Sequence, residues 1–229
     1  MFAVIFEVQP KPEKWDQYLE LAKQLRPELE QIAGFIDNER YKSMRTEGRL
    51  LSLSIWADEK SVIRWRTHAM HHGVQEKGRF EVFEDYHLRV GEISADTHTP
   101  PGWTLQQLRL DATEVGVAKV VSISEIDPGP NAKPADADTL PERLRVPSPG
   151  RDGVSDMELF ASIYTPGKLL LLVSWRDAAA ADAWQPPASL ADAGRIRHRR
   201  VRVVRDYGLA DRREAPQFYP DVARRGDVG

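Results

Sequence analysis

The sequence predicts an α+β protein built from two ferredoxin-like (split βαβ) units, each with an antiparallel sheet. Residues 34–56 and 153–175 align without a gap at an offset of 119 residues, and 10 of the 23 aligned positions are identical. The patterns of the first half also follow the order β-α-β-β-α-β. A period of about 120 residues is too long for a solenoid, so it indicates two copies of a small domain in one chain.

The first unit begins with a strand and a long helix. Residues 2–8 are apolar and rich in strand formers, and Pro10 and Pro12 follow them. Apolar residues then recur every three or four positions, which predicts one buried face of an amphipathic helix over about 12–32. Pro27 lies inside this segment, so we expect a kink or break near it.

A hairpin, a second helix and a closing strand complete the first unit. Strands are predicted at 35–45 and 49–56. The turn between them carries Gly48 where the second copy has Gly167, which indicates a backbone position with positive φ. The last two elements are a helix at about 58–76, with Asp58 as its N-cap, and a strand at 80–93.

The second unit repeats this order but lacks the pattern of the first helix. A strand is predicted at 115–126, and the segment after it is rich in Pro and Gly. We therefore expect a long loop with one helical turn around 138–145. A helix is predicted from about 177, and Gln185–Pro187 interrupts it. The other strands are predicted at 154–164, 168–175 and 199–209.

These patterns place the domain boundaries. The segment THTPPG, at 97–102, has the composition of a linker. The predicted organisation is a ferredoxin-like domain over 1–96, a linker over 97–112, a diverged ferredoxin-like domain over 113–210 and an irregular tail over 211–229.

Composition excludes several classes of function. The formal net charge is −3, so nothing indicates a nucleic acid or an acidic membrane as a partner. The chain has no cysteine, which excludes disulfides and thiolate metal sites. The N-terminal MFAVIFEV lacks a basic region, and no apolar run is long enough to span a bilayer, so we expect a cytoplasmic protein. Nucleotide-binding glycine motifs and a nucleophile elbow are also absent from the sequence.

One passage and the strand after it resemble a known family. LSLSIWADEKSVIRW ends a strand at Trp56 and places Trp65 nine residues later on a helix, and FEDYHL closes the unit. In these features the chain resembles the antibiotic biosynthesis monooxygenase-like family of dimeric α+β barrels. The resemblance implies that the two sheets of this tandem chain pack together as an intramolecular pseudo-dimer, because each sheet has helices on one face only. Further homodimerisation stays open.

The resemblance also implies two kinds of chemistry. Some family members oxidise quinols or polyketide aromatics with O2 and no bound cofactor, and others bind and degrade haem. The haem-degrading branch uses an Asn on the first strand, a Trp on the second helix and a His ten residues after that Trp. Here Trp65 matches, but Gln75 stands at the His position and the first strand has no Asn. We therefore expect no bound cofactor, with haem as the alternative.

The richest cluster of candidate site residues follows Trp65. On a continuous helix Trp65, His68 and His72 share one face, and His71 lies towards a neighbouring one. The prediction assigns proton transfer to His68 and His72, and substrate binding to Trp65 and His71. The alternative is a structural Trp65 with surface histidines, since Trp184 repeats Trp65 in the second copy with no histidine after it. A metal site at His68 and His72 lacks a third ligand.

Two further features complete the predicted site. His87 is a third candidate for substrate binding, because the second copy has Gly208 at its place and the unit therefore folds without that histidine. The basic strand at 195–207 alternates arginines with apolar residues. It is predicted to face solvent and block edge pairing, and docking of a phosphate or an acidic partner is the alternative.

The function predicted from these observations is a cofactor-independent monooxygenase that oxidises a small aromatic or quinol with O2. In this prediction the first copy supplies the site and the second copy supplies a covering sheet. The alternatives are a non-catalytic protein that binds haem or another hydrophobic ligand, and a structural protein without small-molecule chemistry.

Overall fold

The apolar segments predicted as strands pair into a closed antiparallel barrel in the computed structural model of this protein. The structure describes residues 1–128, 137–190 and 194–216, and these contain eight strands. The strands are β1 (Phe2–Pro10), β2 (Phe35–Ser43), β3 (Leu50–Trp56), β4 (Phe83–Asp96), β5 (Val120–Asp127), β6 (Val154–Ser162), β7 (Leu169–Trp175) and β8 (Arg195–Gly208). The helices are α1 (Trp15–Gln31), α2 (Glu59–Thr67), α3 (Ala69–Lys77), α4 (Leu140–Arg143) and α5 (Ala178–Ala183).

The strand order around the barrel is β1-β3-β2-β6-β7-β5-β8-β4. Four strands come from each half, and the halves are hydrogen-bonded along two seams. At one seam Tyr41 of β2 lies opposite Ser162 of β6, and at the other Leu88 of β4 lies opposite Tyr207 of β8. The predicted α+β class with packed antiparallel sheets is confirmed, and the sheets share their edges as one continuous barrel.

Side chains alternate between the barrel interior and its helical cover. Ala3 and Ile5 of β1 point into an apolar interior to which both halves contribute, whereas Val4 and Phe6 face the helices. The two hairpins use equivalent turns, in which Gly48 and Gly167 have φ of 75° and 80°. This confirms the predicted positive φ.

Helix α1 runs from Trp15 to Gln31 and contains Pro27. Of the kink or break expected at this proline, the break is wrong, because the helix continues through it. A proline inside a helix costs about 3 kcal/mol. The helix buries four side chains, and the two leucines among them contribute roughly 1.5–3 kcal/mol each, so burial offsets that cost. These side chains belong to Tyr18, Ala22, Leu25 and Leu29.

Equivalent N-caps begin the helix that follows the hairpin in each half. The side chain of Asp58 accepts a hydrogen bond from the backbone N–H of Ser61 at 2.8 Å, and Asp177 accepts one from that of Ala180 at 2.8 Å. The predicted cap at Asp58 is confirmed. Such a cap contributes about 1 kcal/mol to the stability of a helix.

The helical cover of the second half is short. Helix α4 lies within the predicted turn at 138–145, and α5 ends at Ala183, before the predicted interruption. Residues 129–136 of the predicted loop and 217–229 of the predicted tail lie outside the described residues. No helix in the described part of the chain is long and apolar enough to cross a membrane.

The basic strand β8 does not face solvent as predicted. It is hydrogen-bonded to β4 on one side and β5 on the other, so it has no free edge. Its arginines pair with acidic residues of the barrel, as Arg197 does with Asp96 at 2.7 Å and Arg199 does with Glu125. The charges of Arg197 and Arg199 are therefore neutralised within the fold.

Candidate active site

A cavity of about 460 Å³ lies between the outer face of the first half's sheet and helices α1, α2 and α3. This volume is within the range of small-molecule sites. Its floor is largely apolar, with Val4 and Phe6 from β1 and Leu88 and Val90 from β4. Trp65 of α2 is part of its lining. The cavity can therefore shield a mostly apolar molecule from water.

The predicted single helix over 58–76 is two helices, and the break between them shapes the cavity. His68 has an extended backbone (φ −62°, ψ 128°), so α2 ends at Thr67 and α3 starts in a new direction at Ala69. The ring of His71 consequently stacks on the indole of Trp65, with centroids 4.1 Å apart. The expectation that Trp65, His68 and His72 share one helical face is therefore wrong.

The contacts of His71 fix its tautomer. Its Nδ1 lies 2.9 Å from the carbonyl oxygen of Trp65, and because a carbonyl only accepts, Nδ1 carries the proton. Nε2 is then the basic atom, and the amide nitrogen of Gln75 lies 3.4 Å from it. The pKa of His71 is lowered to about 4, mainly by burial and to a smaller extent by the nearby His68 and His72, while the Trp65 carbonyl opposes the shift. The imidazole is neutral at physiological pH and able to accept a proton.

One end of the cavity floor is polar. Asn38 and Arg40 of β2 and Ser52 and Ser54 of β3 all line it, and we call these four residues the Arg40 patch. Within this patch Asn38 donates hydrogen bonds to the Ser52 hydroxyl at 3.1 Å and to the Leu53 carbonyl at 3.0 Å. The Arg40 guanidinium donates to Asn38 at 3.4 Å. The patch offers fixed donors at one end of an apolar cavity.

The other end of the cavity is closed by the last strand of the second half. Arg205 and Tyr207 of β8 line it, together with Arg66 of α2. Burial raises the pKa of Tyr207 to about 12, so its phenol stays protonated. Arg212 donates a hydrogen bond to the hydroxyl of Tyr86 at the same end. Both halves of the chain therefore contribute side chains to a site that lies on the first half's sheet.

Comparison with known proteins shows the family that this architecture belongs to. The family model for antibiotic biosynthesis monooxygenase matches residues 1–77. Jasmonate monooxygenase ABM of Pyricularia oryzae is 43% identical over 229 residues, which cover 97% of this chain and all of that protein. The chain belongs to the antibiotic biosynthesis monooxygenase family. The match to the Pyricularia oryzae protein spans both halves of the barrel, and it supports monooxygenase activity as the general class of function.

Two other proteins are less similar to this chain. The Bacillus subtilis protein YqjZ, which is uncharacterized, is 30% identical over 92 residues, covering 40% of this chain and 78% of its own length. A crystal structure of an anthrone oxidase-like protein is 14% identical and covers 93% of this chain and 95% of its own, with a TM-score of 0.35.

The cavity residues do not supply the ligand set of the family's haem-degrading branch. The side chains that β1 turns towards the cavity are Val4 and Phe6, neither of which is an amide. The Gln75 amide, at the position of that branch's His, contacts the His71 ring and is not an axial haem ligand of the usual types. The lining therefore does not fit haem held as in that branch.

The structure brings three of the five predicted site residues to the cavity. These are Trp65, His71 and His72. His72 is also half exposed, with its Nε2 3.8 Å from Glu76. His68 lies beside the cavity, where its ring stacks on Trp65 at 5.9 Å and its Nε2 lies 3.7 Å from Glu28.

His87 is not part of this cavity. It alternates with Tyr86 along β4, and Tyr86 is the residue that lines the cavity. The His87 ring lies on the other face of the sheet, with Nε2 2.7 Å from Asp206 and Nδ1 3.7 Å from Glu7. The geometry therefore separates His87 from Trp65, and its predicted role in substrate binding does not apply to this site.

Sequence analysis missed two groups of cavity residues. The Arg40 patch carried a readable signal, because Asn38, Arg40, Ser52 and Ser54 align with apolar residues in the second copy. Arg205 and Tyr207 belong to the basic strand at 195–207, but no local pattern shows that they reach this cavity, because their place depends on the pairing of β8 with β4 across the seam.

Proposed function

We propose that this protein is a monooxygenase that binds a small, largely apolar ketone, phenol or quinol in the cavity and oxidises it with O2 without a bound cofactor. The observation that carries the proposal is the neutral imidazole of His71 lying on Trp65 in an apolar cavity of about 460 Å³. An aromatic or cyclic substrate fits beside such a stacked pair.

The substrate class follows from what His71 can do. A quinol or phenol has an acidic O–H, and a ketone has C–H bonds acidified by the neighbouring carbonyl. The Pyricularia oryzae relative is named for jasmonate, which is a cyclic ketone. In each case Nε2 of His71 accepts a proton and leaves an electron-rich substrate anion. The new imidazolium and this anion stabilise each other, because they form a close pair in a medium of low dielectric constant.

The proposed reaction balances without an external reductant. The substrate anion passes one electron to O2, and the resulting radical and superoxide combine to a peroxide anion. The imidazolium of His71 gives its proton to this anion, which becomes a hydroperoxide. Loss of water then leaves a C=O group, so that the substrate gains one oxygen atom and loses two hydrogens, from a CH₂ group of a ketone or from a ring C–H and the O–H of a phenol or quinol. Hydroxylation of a C–H group would instead require two electrons from an added donor, so the product distinguishes the two routes.

Oxygen uptake by chelator-treated protein tests the proposal. The panel contains jasmonic acid, a benzoquinol and a naphthol, each with isotopically labelled O2. We expect uptake without an electron donor, and a product that gains one labelled oxygen and loses two hydrogens. Uptake that depends on an added donor contradicts cofactor independence. No uptake from any substrate, together with a Soret band on adding haemin that is lost in His71→Gln, favours the haem-binding alternative.

A further inference from the structure

The Arg40 patch contains a buried cation. Arg40 is only 8% exposed, and its neighbour Asn38 is also 8% exposed. The guanidinium donates to the amide oxygen of Asn38 at 3.4 Å and to the hydroxyl of Tyr164 at 3.3 Å. Both partners are neutral groups. The Nε of Arg40 is buried and has no hydrogen-bond partner in the described part of the chain.

Other buried arginines of the barrel have a carboxylate. Arg89 pairs with Glu7 at 2.5 Å, and Arg199 pairs with Glu125. Within residues 1–128, 137–190 and 194–216, no carboxylate lies within ion-pair distance of Arg40. Burial raises the pKa of Tyr18, which contacts Arg40, so this phenol does not supply a negative charge either. An uncompensated buried charge is costly, and an anionic ligand would offset that cost.

The second half of the chain shows that the fold does not require this patch. At the offset of 119 residues, Asn38, Arg40, Ser52 and Ser54 correspond to Met157, Leu159, Leu171 and Val173. The latter four belong to a hydrophobic cluster beneath α4 and α5. The same strand positions are therefore filled by apolar side chains where α4 and α5 pack over them. The fold alone therefore does not explain the polar residues of the first half, whereas a ligand in the cavity explains them.

We propose that Arg40 binds a carboxylate of the substrate, with Asn38 and Tyr164 holding the guanidinium in place. This inference rests on the proposed function, since it takes the cavity as the substrate site. It narrows the substrate class to amphipathic organic acids, whose apolar body lies over β1 and β4 while the acid group reaches β2. Jasmonate has this form, a cyclic ketone that bears a carboxylate.

The arginines at the other end of the cavity are the competing anchor. Arg66, Arg205 and Arg212 are all partly exposed, whereas Arg40 is buried. Between Arg40 on β2 and Arg205 on β8 lie β3, β1 and β4, a separation of roughly 15–20 Å at the usual strand spacing. One small carboxylate cannot contact both ends. The buried, uncompensated Arg40 gains most from an anion.

Calorimetric titration of matched ligand pairs tests the proposal without requiring turnover. The pairs are jasmonic acid with methyl jasmonate, and 4-phenylbutanoate with 4-phenylbutanol. We expect the protein to prefer each acid over its neutral partner by about 10- to 100-fold, as for a hydrogen-bonded ion pair. In Arg40→Met the preference should disappear, because the neutral ligands keep their affinity and the acids lose theirs.

Two control variants make the test decisive. Arg64→Met removes an exposed arginine of α2 outside the cavity, and Arg66→Met removes the competing anchor, and both should retain the preference for acids. Arg40→Met should keep or raise the melting temperature, since it removes a buried charge without a carboxylate. The more conservative Arg40→Lys serves as the second variant and should retain part of the preference.

The outcomes separate this inference from the proposed function. Equal binding of acids and neutral partners, no binding of either acid, or a preference lost in Arg66→Met and kept in Arg40→Met overturns the role of Arg40. Arg40-dependent binding without oxygen uptake sinks the proposed function and leaves the anion site. If Arg40→Met oxygenates jasmonic acid with an unchanged KM, the role of Arg40 is overturned and the proposed function stands.

Discussion

The imidazole of His71 lies flat on the indole of Trp65, with ring planes inclined by 13°, and donates a hydrogen bond to the carbonyl oxygen of the same residue. In one continuous helix these residues would point about 120° apart, at 100° per residue. The extended backbone at His68 removes that separation. The break therefore creates the pair, and the backbone contact fixes which ring nitrogen is basic.

Replacing His71 tests its role as the base. His71→Gln should lower kcat by about 10²–10⁴-fold, the usual contribution of a positioned general base. KM should change little, because the glutamine still covers the Trp65 ring. Initial rates of oxygen uptake measure both quantities. The matched control is His72→Gln on the same helix, which replaces a half-exposed ring that lacks the contact with Trp65.

The two variants also decide between the candidate bases. If His72→Gln loses most of the rate and His71→Gln keeps it, His72 is the base, as the sequence predicts. A pH profile adds a second readout. Activity that depends on neutral His71 should be lost as the pH falls towards about 4 in the free protein, and this limb should be absent from the residual activity of His71→Gln.

The lowered pKa of His71 predicts a loss of stability in acid. The unfolded chain binds a proton at this site below about 6.5, whereas the folded protein binds it only below about 4. Between these values the unfolded state holds more protons, so the free energy of unfolding falls as the pH falls. The full penalty is about 3 kcal/mol at most, at 1.36 kcal/mol per pKa unit.

Denaturant unfolding between pH 7 and pH 4 measures this term. His71→Phe keeps an aromatic ring against Trp65 but cannot titrate, so its unfolding free energy should fall less over this range than that of the native protein. His72→Phe should follow the native curve. Parallel curves for all three proteins would show that burial of His71 does not contribute.

Local patterns allowed much of the fold to be predicted. The hairpins are set by strand-forming runs and by Gly48 and Gly167, and the cap at Asp58 is set by one side chain and the next turn of helix. The break at His68 could not be predicted in this way, since neither Pro nor Gly lies there. The contacts that accompany it, the stacking of His71 on Trp65 and its hydrogen bond to the Trp65 carbonyl, form only once the break is present.

The candidate site was predicted only where its residues are close in sequence. Trp65 and His71 lie on neighbouring turns, so a single segment drew attention to both. Arg205 reaches the cavity through a seam between the halves, which no local pattern reports. Arg40 is an intermediate case. When the two repeated segments are compared residue by residue, the polar Arg40 aligns with the apolar Leu159, a difference that a count of identical positions does not show.

Removing Glu125 tests the charge network inside the barrel. Glu125 is 5% exposed and accepts hydrogen bonds from the hydroxyl of Tyr41 at 2.6 Å and from Arg199, while Lys168 lies 3.1 Å away. Glu125→Leu removes the nearest carboxylate of Arg199 and Lys168, which keep longer contacts with Asp96, Glu39 and Asp127. The free energy of unfolding should therefore fall by about 1–3 kcal/mol, the cost of removing one partner of a buried polar group.

The same network carries its own pH dependence. Burial favours a raised pKa for Glu125, but the charges of Arg199 and Lys168 outweigh it and hold the pKa below its ordinary value. The stabilisation is therefore present above pH 4.5 and is lost as the pH falls below it, which is a lower window than that of His71.

Chemical denaturation of Glu125→Leu measures the loss at neutral pH. Glu30→Gln, on the exposed side of α1, is the control and should change stability by no more than about 0.5 kcal/mol. A similar small change in Glu125→Leu would mean that the network contributes no net stability.

The equivalent tryptophans of the two copies provide a test that separates stability from ligand binding. Trp184 is 7% exposed, packs on Trp175 and donates a hydrogen bond to the carbonyl of Leu144 at 3.0 Å. Trp184→Ala should cost about 3–5 kcal/mol of unfolding free energy, as other buried aromatic truncations do.

Trp65 is partly exposed and borders the cavity, so Trp65→Ala should cost less stability. Its affinity for jasmonic acid should fall at least about tenfold, since the stacking surface is lost. Denaturation and calorimetry on both variants measure these quantities. A Trp65→Ala protein that loses as much stability as Trp184→Ala and binds the acid normally would make Trp65 a core residue, because a ligand that contacted its ring could not be indifferent to its removal.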